Sequence, residues 1–160
     1  MNNIKLFLTD VDGCLTDGGM YYSANGDELK KFCAYDGMGM VLLRQHGIRC
    51  GIITGETTPI VERRAAKLQL DYLFMGCKGT AKAEAAQKIC AEMGITLREV
   101  CYVGDDIIDI DLLKAVGLAA CPPNARPEVK AIPGILHLTT PGGQGAIREI
   151  ADLILKALHE

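Results

Sequence analysis

Short apolar runs alternate along the chain with segments whose apolar positions recur at helical spacing. Ile4-Lys5-Leu6-Phe7-Leu8-Thr9 reads as a buried strand, and so do residues 50–54 and 100–103. Shorter strands are expected at residues 72–74, 117–120 and 135–138. Helical patterns fall between them, over residues 39–46, 59–68, 81–93, 107–116 and 146–158. Pro59 stands at the start of the second of these, where its missing N–H costs nothing. The βαβα rhythm predicts an α/β fold, a doubly wound parallel sheet with helices on both faces.

One stretch departs from that rhythm. Residues 19–22 and 29–32 flank a polar turn containing Asn25-Gly26, the strongest short hairpin signal in the chain. A β-hairpin protruding over about residues 18–32 is therefore expected. No repeat or interdomain linker is visible, so residues 1–160 read as one domain. Gly142-Gly143-Gln144-Gly145 is the most flexible-looking piece and leads into the last helix.

Composition narrows the function classes. Half the residues are apolar (49%) and 23% are charged, an ordinary globular balance. A net charge of −3 offers no broad basic surface, which argues against nucleic acid as a partner. Met1-Asn2-Asn3 leads straight into a short apolar run, unlike a signal peptide. No apolar run approaches the ~20 residues that cross a bilayer. The seven cysteines are odd in number and contain no CxxC pair. They read as reduced core residues of a cytoplasmic protein.

The chemistry sits where the apolar runs stop. The first strand ends in Asp10-Val11-Asp12-Gly13. In open α/β sheets ligands bind beyond the carboxyl ends of strands, and two aspartates one residue apart can take different roles there. Alone, the same pattern also suits a turn or a calcium loop. The next central strand ends in Thr54-Gly55, a hydroxyl and a free N–H at a helix start, fitted to phosphate oxygens or simply to helix capping. The strand near residue 100 ends in Gly104-Asp105-Asp106-Ile107-Ile108-Asp109. Carboxylates so close repel one another unless a cation is present, and hard oxygen ligands suit magnesium. An acidic helix N-terminus is the alternative. Together the three motifs place acidic, hydroxyl and metal-binding groups at one end of one sheet.

These motifs resemble the signature of the haloacid dehalogenase superfamily. The resemblance implies a HAD-like phosphatase with Asp10 as nucleophile and Asp12 as general acid and base. It implies Thr54, with Gly13 and Gly55, around the phosphoryl group, and Mg2+ held by Asp10, the Asp12 carbonyl, Asp105 and Asp109. It also asks for a lysine before the last acidic motif, with Lys82 the better fit and Lys78 the second. Only 44 positions separate Asp10 from Thr54 and 23 separate Lys82 from Asp105, which leaves no room for a cap domain.

A narrower resemblance covers about residues 4–158. Leu15-Thr16-Asp17-Gly18, the hairpin, Lys30-Lys31-Phe32, Tyr35-Asp36-Gly37 and Gly142-Gly143-Gln144-Gly145-Ala146-Ile147-Arg148-Glu149 are similar to the branch of 3-deoxy-D-manno-octulosonate 8-phosphate phosphatases and their nonulosonate 9-phosphate relatives. That branch implies a homotetramer whose neighbouring subunits complete the pocket, and a substrate from lipopolysaccharide synthesis. Glu56 and Lys67 look more like the nine-carbon, sialic-acid-related members, or equally like surface charges. Ala34-Tyr35 and Gln144 match neither pattern. Arg63 and Arg64 read as a solvated helix face. Two rivals differ in class. A phosphoacceptor signalling domain would carry its acidic pair and acceptor on different strands, and a nucleotidase is poorly served by 5% aromatic residues and no Trp.

Overall fold

The computed structural model describes residues 1, 3–26 and 28–159. Its main sheet is built from β1 (Leu6–Thr9), β4 (Arg49–Ile53), β5 (Tyr72–Phe74), β6 (Val100–Val103), β7 (Leu118–Cys121) and β8 (Leu136–His137), in the order β5-β4-β1-β6-β7-β8. Every pairing is parallel. From β1 the chain winds outward through β4 and β5, then returns to place β6 on the other side of β1. The crevice between β1 and β6 is thus the point where winding reverses, the place such sheets bind ligands.

Side-chain alternation explains why the central strands are apolar throughout. Leu6 and Leu8 of β1, with Val100 and Tyr102 of β6, face one core, and Phe7, Cys101 and Val103 face the other. Both sides are covered, so neither phase can be polar. The first core packs against α3 (Thr80–Met93) and α4 (Ile110–Ala115), with Val129 of α5 (Pro127–Lys130) added at its edge. The second lies under α1 (Ala34–Gln45), α2 (Pro59–Lys67) and α6 (Ala146–Leu158). Thr58 caps α2 by accepting the Ile60 N–H at 3.3 Å, with Pro59 next to it as expected. All seven cysteines are free, and five are buried.

Five expectations need correction. α1 starts at Ala34, several residues before the expected residue 39. The early residues look unlike a helix because they serve neighbours: Asp36 accepts the Arg148 N–H of α6, and a side chain on Gly37 would crowd Arg64 and Leu68. Residues 107–116 are not one helix. A 3-10 turn over Ile107–Asp109 precedes α4, because Asp109 turns inward to collect backbone N–H groups. The hairpin strands are shorter than expected, β2 (Tyr21–Tyr22) and β3 (Glu28–Leu29), two paired positions standing apart from the main sheet. Within its expected turn, Asp27 lies outside the described residues.

The fourth concerns the glycine-rich loop, which is firmly held. Gly142 N–H donates to Asn124 Oδ1 at 2.8 Å and Gly143 N–H to the Cys14 carbonyl at 3.0 Å. Just beyond it, buried Asp36 of α1 accepts the Arg148 N–H at 3.0 Å and so caps α6 from a distance. Arg64 is likewise no solvated residue: Nη2 donates to the Cys33 carbonyl at 3.2 Å and the guanidinium stacks over Phe32.

Ile150 lies fully buried where α6 meets the sheet. Ile150→Ala should destabilise the protein by about 2–5 kcal/mol in chemical denaturation, while activity per folded molecule stays unchanged.

Candidate active site

Asp10 follows directly after β1, and its N–H donates to the Val103 carbonyl of β6 at 3.0 Å. Strand pairing therefore continues one residue past β1 and fixes the aspartate at the crevice. Its side chain is almost wholly buried. On the same side, Lys82 enters from the first turn of α3, fully buried, with Nζ 3.0 Å from Asp10 Oδ1 and 2.6 Å from Asp109 Oδ1. The Tyr102 hydroxyl donates to Asp109 Oδ1 at 2.6 Å and accepts from Lys82 Nζ at 3.2 Å. Asp109 Oδ2 accepts the N–H groups of Asp105 and Asp106, at 3.0 and 3.1 Å. The loop after β6 is thereby wrapped around the Asp109 carboxylate, which aims Asp105 at Asp10.

Electrostatics follow from that crowding. Burial, with Asp109 nearby, pushes the Asp10 carboxyl up to about 7 although Lys82 opposes the shift. Burial together with Asp10 and Asp109 pushes Asp105 up to about 8. Burial alone would lower Lys82, yet the two carboxylates outweigh it and hold the ammonium above its ordinary range. Asp10, Asp105 and Asp109 each offer an oxygen within 4.8 Å of the others. Two acids driven toward neutrality beside a third, all with hard oxygens, form a donor set that fits a small divalent cation such as Mg2+.

The phosphoryl side is equally ordered. Thr54 follows β4, buried, its N–H donating to the Phe74 carbonyl at 2.9 Å. Gly13, at φ +89°, leaves space for the Asp105 carboxylate, which any side chain there would overlap. The Gly13 carbonyl accepts from Asn124 Nδ2 at 3.0 Å, so Asn124 clips the Asp10–Gly13 loop to Gly142. A pocket of about 240 Å³ opens above, lined among others by Asp10, Asp12, Thr54, Gly55, Glu56 and Lys78. That is small beside the ~300–1,000 Å³ of most ligand sites.

The expected residues thus divide. Asp10, Asp105, Asp109 and Lys82 form one buried cluster, while Asp12, Thr54, Gly55 and Glu56 line the pocket and Gly13 lies just below it. Lys78 reaches the pocket wall and not the cluster. Lys67 stands exposed near the end of α2 and does not line the pocket of its own chain. Asp106 also lines the pocket and caps the following turn by accepting the Ile107 N–H at 2.7 Å. Sequence reasoning missed Tyr102, Asn124 and the pairing of Lys30 with Asp12. Tyr102 is hidden inside an apolar run, and the other two act across long stretches of chain.

The model of the haloacid dehalogenase-like hydrolase family matches residues 27–117. The 3-deoxy-D-manno-octulosonate 8-phosphate phosphatase of Haemophilus influenzae is 37% identical over 98% of this chain and 86% of its own. The enzyme of the same name from Escherichia coli K12 is 39% identical over 97% of this chain and 81% of its own. Among solved structures, the Moraxella catarrhalis 3-deoxy-D-manno-octulosonate 8-phosphate phosphatase, in complex with magnesium ion, phosphate ion and KDO, superposes with a TM-score of 0.94. It is 37% identical, and the match covers 99% of this chain and 89% of that one.

Raised carboxyl groups set a sign for stability. Asp10 and Asp105 keep their protons to about 7 and about 8 when folded, against about 3.9 for an unfolded aspartate. Between those values the folded chain binds more protons, so cation-free stability falls as pH rises. A bound cation relieves that loss. Magnesium should therefore raise the melting temperature clearly at about pH 8.5 and little at about pH 5. Equal shifts at both pH values in thermal denaturation would remove the cluster as the cation site.

Proposed function

The chain belongs to the haloacid dehalogenase-like hydrolases, and we propose that within them it is the phosphatase that releases phosphate from 3-deoxy-D-manno-octulosonate 8-phosphate. The observation that carries this reading is the meeting of Asp10, Asp105 and Lys82 at the β1–β6 crevice, in a chain matching octulosonate phosphatases over nearly its whole length.

The chemistry divides into two half-reactions. The Asp10 carboxylate attacks phosphorus and the ester P–O bond breaks, giving an aspartyl phosphate. Asp12 supplies the proton to the leaving sugar oxygen. Water then attacks the aspartyl phosphate while Asp12 takes its proton, and inorganic phosphate leaves with Asp10 restored. Asp10, Asp105 and the Asp12 carbonyl would hold Mg2+, whose positive charge would offset the repulsion between the carboxylate nucleophile and the phosphate dianion. Asp109 stands beside that set, and with both oxygens already hydrogen-bonded it fits a positioning role. Lys82 neutralises the crowded carboxylates from below, and Thr54 and Gly55 offer a hydroxyl and an N–H to phosphoryl oxygens.

Residues 1–160 act as one capless domain in this proposal, and cover comes from other subunits of a homotetramer. Support comes from the surface: Met20, Tyr21, Tyr22 and Leu29 are exposed on the hairpin, and Tyr35 and Met38 on α1. Among the described residues no helix is long and apolar enough to cross a membrane. With seven free cysteines, the cytoplasm is the proposed setting. A second substrate reading, a nonulosonate 9-phosphate, is favoured by Glu56 on the pocket wall.

A panel of sugar phosphates with magnesium tests the reading. The octulosonate 8-phosphate should be cleaved with at least about tenfold higher kcat/KM than nonulosonate 9-phosphates, a hexose 6-phosphate or a nucleotide, a gap of about 1.4 kcal/mol. Preference for a 9-phosphate would transfer the assignment to the second substrate. Asp10→Asn should abolish turnover on all of them, with circular dichroism showing the fold retained.

A further inference from the structure

Lys30 lies just past β3, and its side chain turns back from the hairpin toward the sheet. Nζ donates to Asp12 Oδ1 at 2.6 Å and lies 3.4 Å from the Met20 sulfur. The Lys30 side chain is wholly shielded from solvent, while the side chain of Asp12 keeps 20% exposure toward the pocket that Met20 also lines. A short, charge-assisted bond from a desolvated ammonium fixes the carboxylate it engages. Two lysines therefore divide the two aspartates of the first loop. Lys82, from α3, serves Asp10, and Lys30, from the hairpin, serves Asp12.

We propose that Lys30 is the positioning residue for Asp12. It occupies Oδ1, so that Oδ2 is the oxygen presented to the bridging ester oxygen, and it ties that orientation to the seating of the hairpin. This rests on the reading of Asp12 as the group on the leaving-group side. Asp12 follows a strand end with no helix or ladder to hold its side chain, so the bond from Lys30 supplies the order that backbone pairing supplies to Asp10. The hairpin then has a catalytic consequence within its own subunit: a displaced hairpin leaves Asp12 free to turn away.

Leaving-group dependence separates this role from a merely structural one. A well-placed Asp12 matters for esters with poor leaving groups and little for activated ones. Lys30→Met and Lys30→Arg are compared with the parent on phenyl phosphate, p-nitrophenyl phosphate and the octulosonate 8-phosphate, with circular dichroism to verify folding. Lys30→Met should lower kcat/KM, which reports ester cleavage and not the later hydrolysis of the aspartyl phosphate, about 100-fold on phenyl phosphate and the sugar ester and less than about threefold on p-nitrophenyl phosphate. Lys30→Arg should recover much of the loss. Equal losses on all three esters, or none on any, would overturn the proposal. The two aryl esters carry the comparison by themselves, so a parent enzyme that ignores the octulosonate ester would refute the substrate assignment alone. A parent inactive on every ester would refute the phosphatase reading and this role together.

Discussion

Lys82 carries its ammonium into a fully buried position between Asp10 and Asp109, 3.0 and 2.6 Å from their oxygens. Burying one such charge is costly, and breaking a buried pair typically costs about 3–5 kcal/mol because the partner is left uncompensated. The surrounding architecture keeps that from happening. β1 and β6 hold Asp10 in register, α3 delivers Lys82, and Tyr102 with two backbone N–H groups completes the shell of Asp109. Burial, together with neighbouring carboxylates that one lysine does not balance, pushes Asp10 and Asp105 toward neutrality. A divalent cation such as Mg2+ would relieve that crowding and would restore both groups to carboxylates.

Above this rigid floor the site is shallow. The pocket is small, no cap domain covers it, and its upper wall includes Met20 from the start of the hairpin. Rigidity and openness are complementary here. The floor gathers the acidic and cationic groups, whereas Glu56 and Lys78 line the pocket above it and Tyr21, Tyr22 and Leu29 stand exposed on the hairpin.

Much of the floor was legible in the sequence because strand ends are sharp signals. An apolar run stopping at Asp10, at Thr54 or at Gly104 marks both the strand and the edge where ligands bind. The two buried cores require apolar residues in both phases of β1 and β6, which made those strands easy to find. What escaped depends on contacts distant in sequence. Asn124 bonds Gly13 across 111 positions, and Lys30 reaches Asp12 only because the hairpin folds back. Residues 34–38 read poorly as helix because Asp36 there serves to cap α6. Arg64 read as solvated, since nothing local shows that Cys33 and Phe32 would come to cover it.

A covalent bond between Asp10 and the transferred phosphoryl group is the central step of the proposed chemistry. Acid quenching in the first turnover, followed by borohydride reduction, converts an aspartyl phosphate to homoserine, which peptide mass spectrometry locates. Reduction confined to position 10, dependent on magnesium and substrate, is the result predicted. Reduction at another carboxylate, or none while phosphate is still released, would contradict the role given to Asp10 and with it the purpose assigned to the Lys82 cluster.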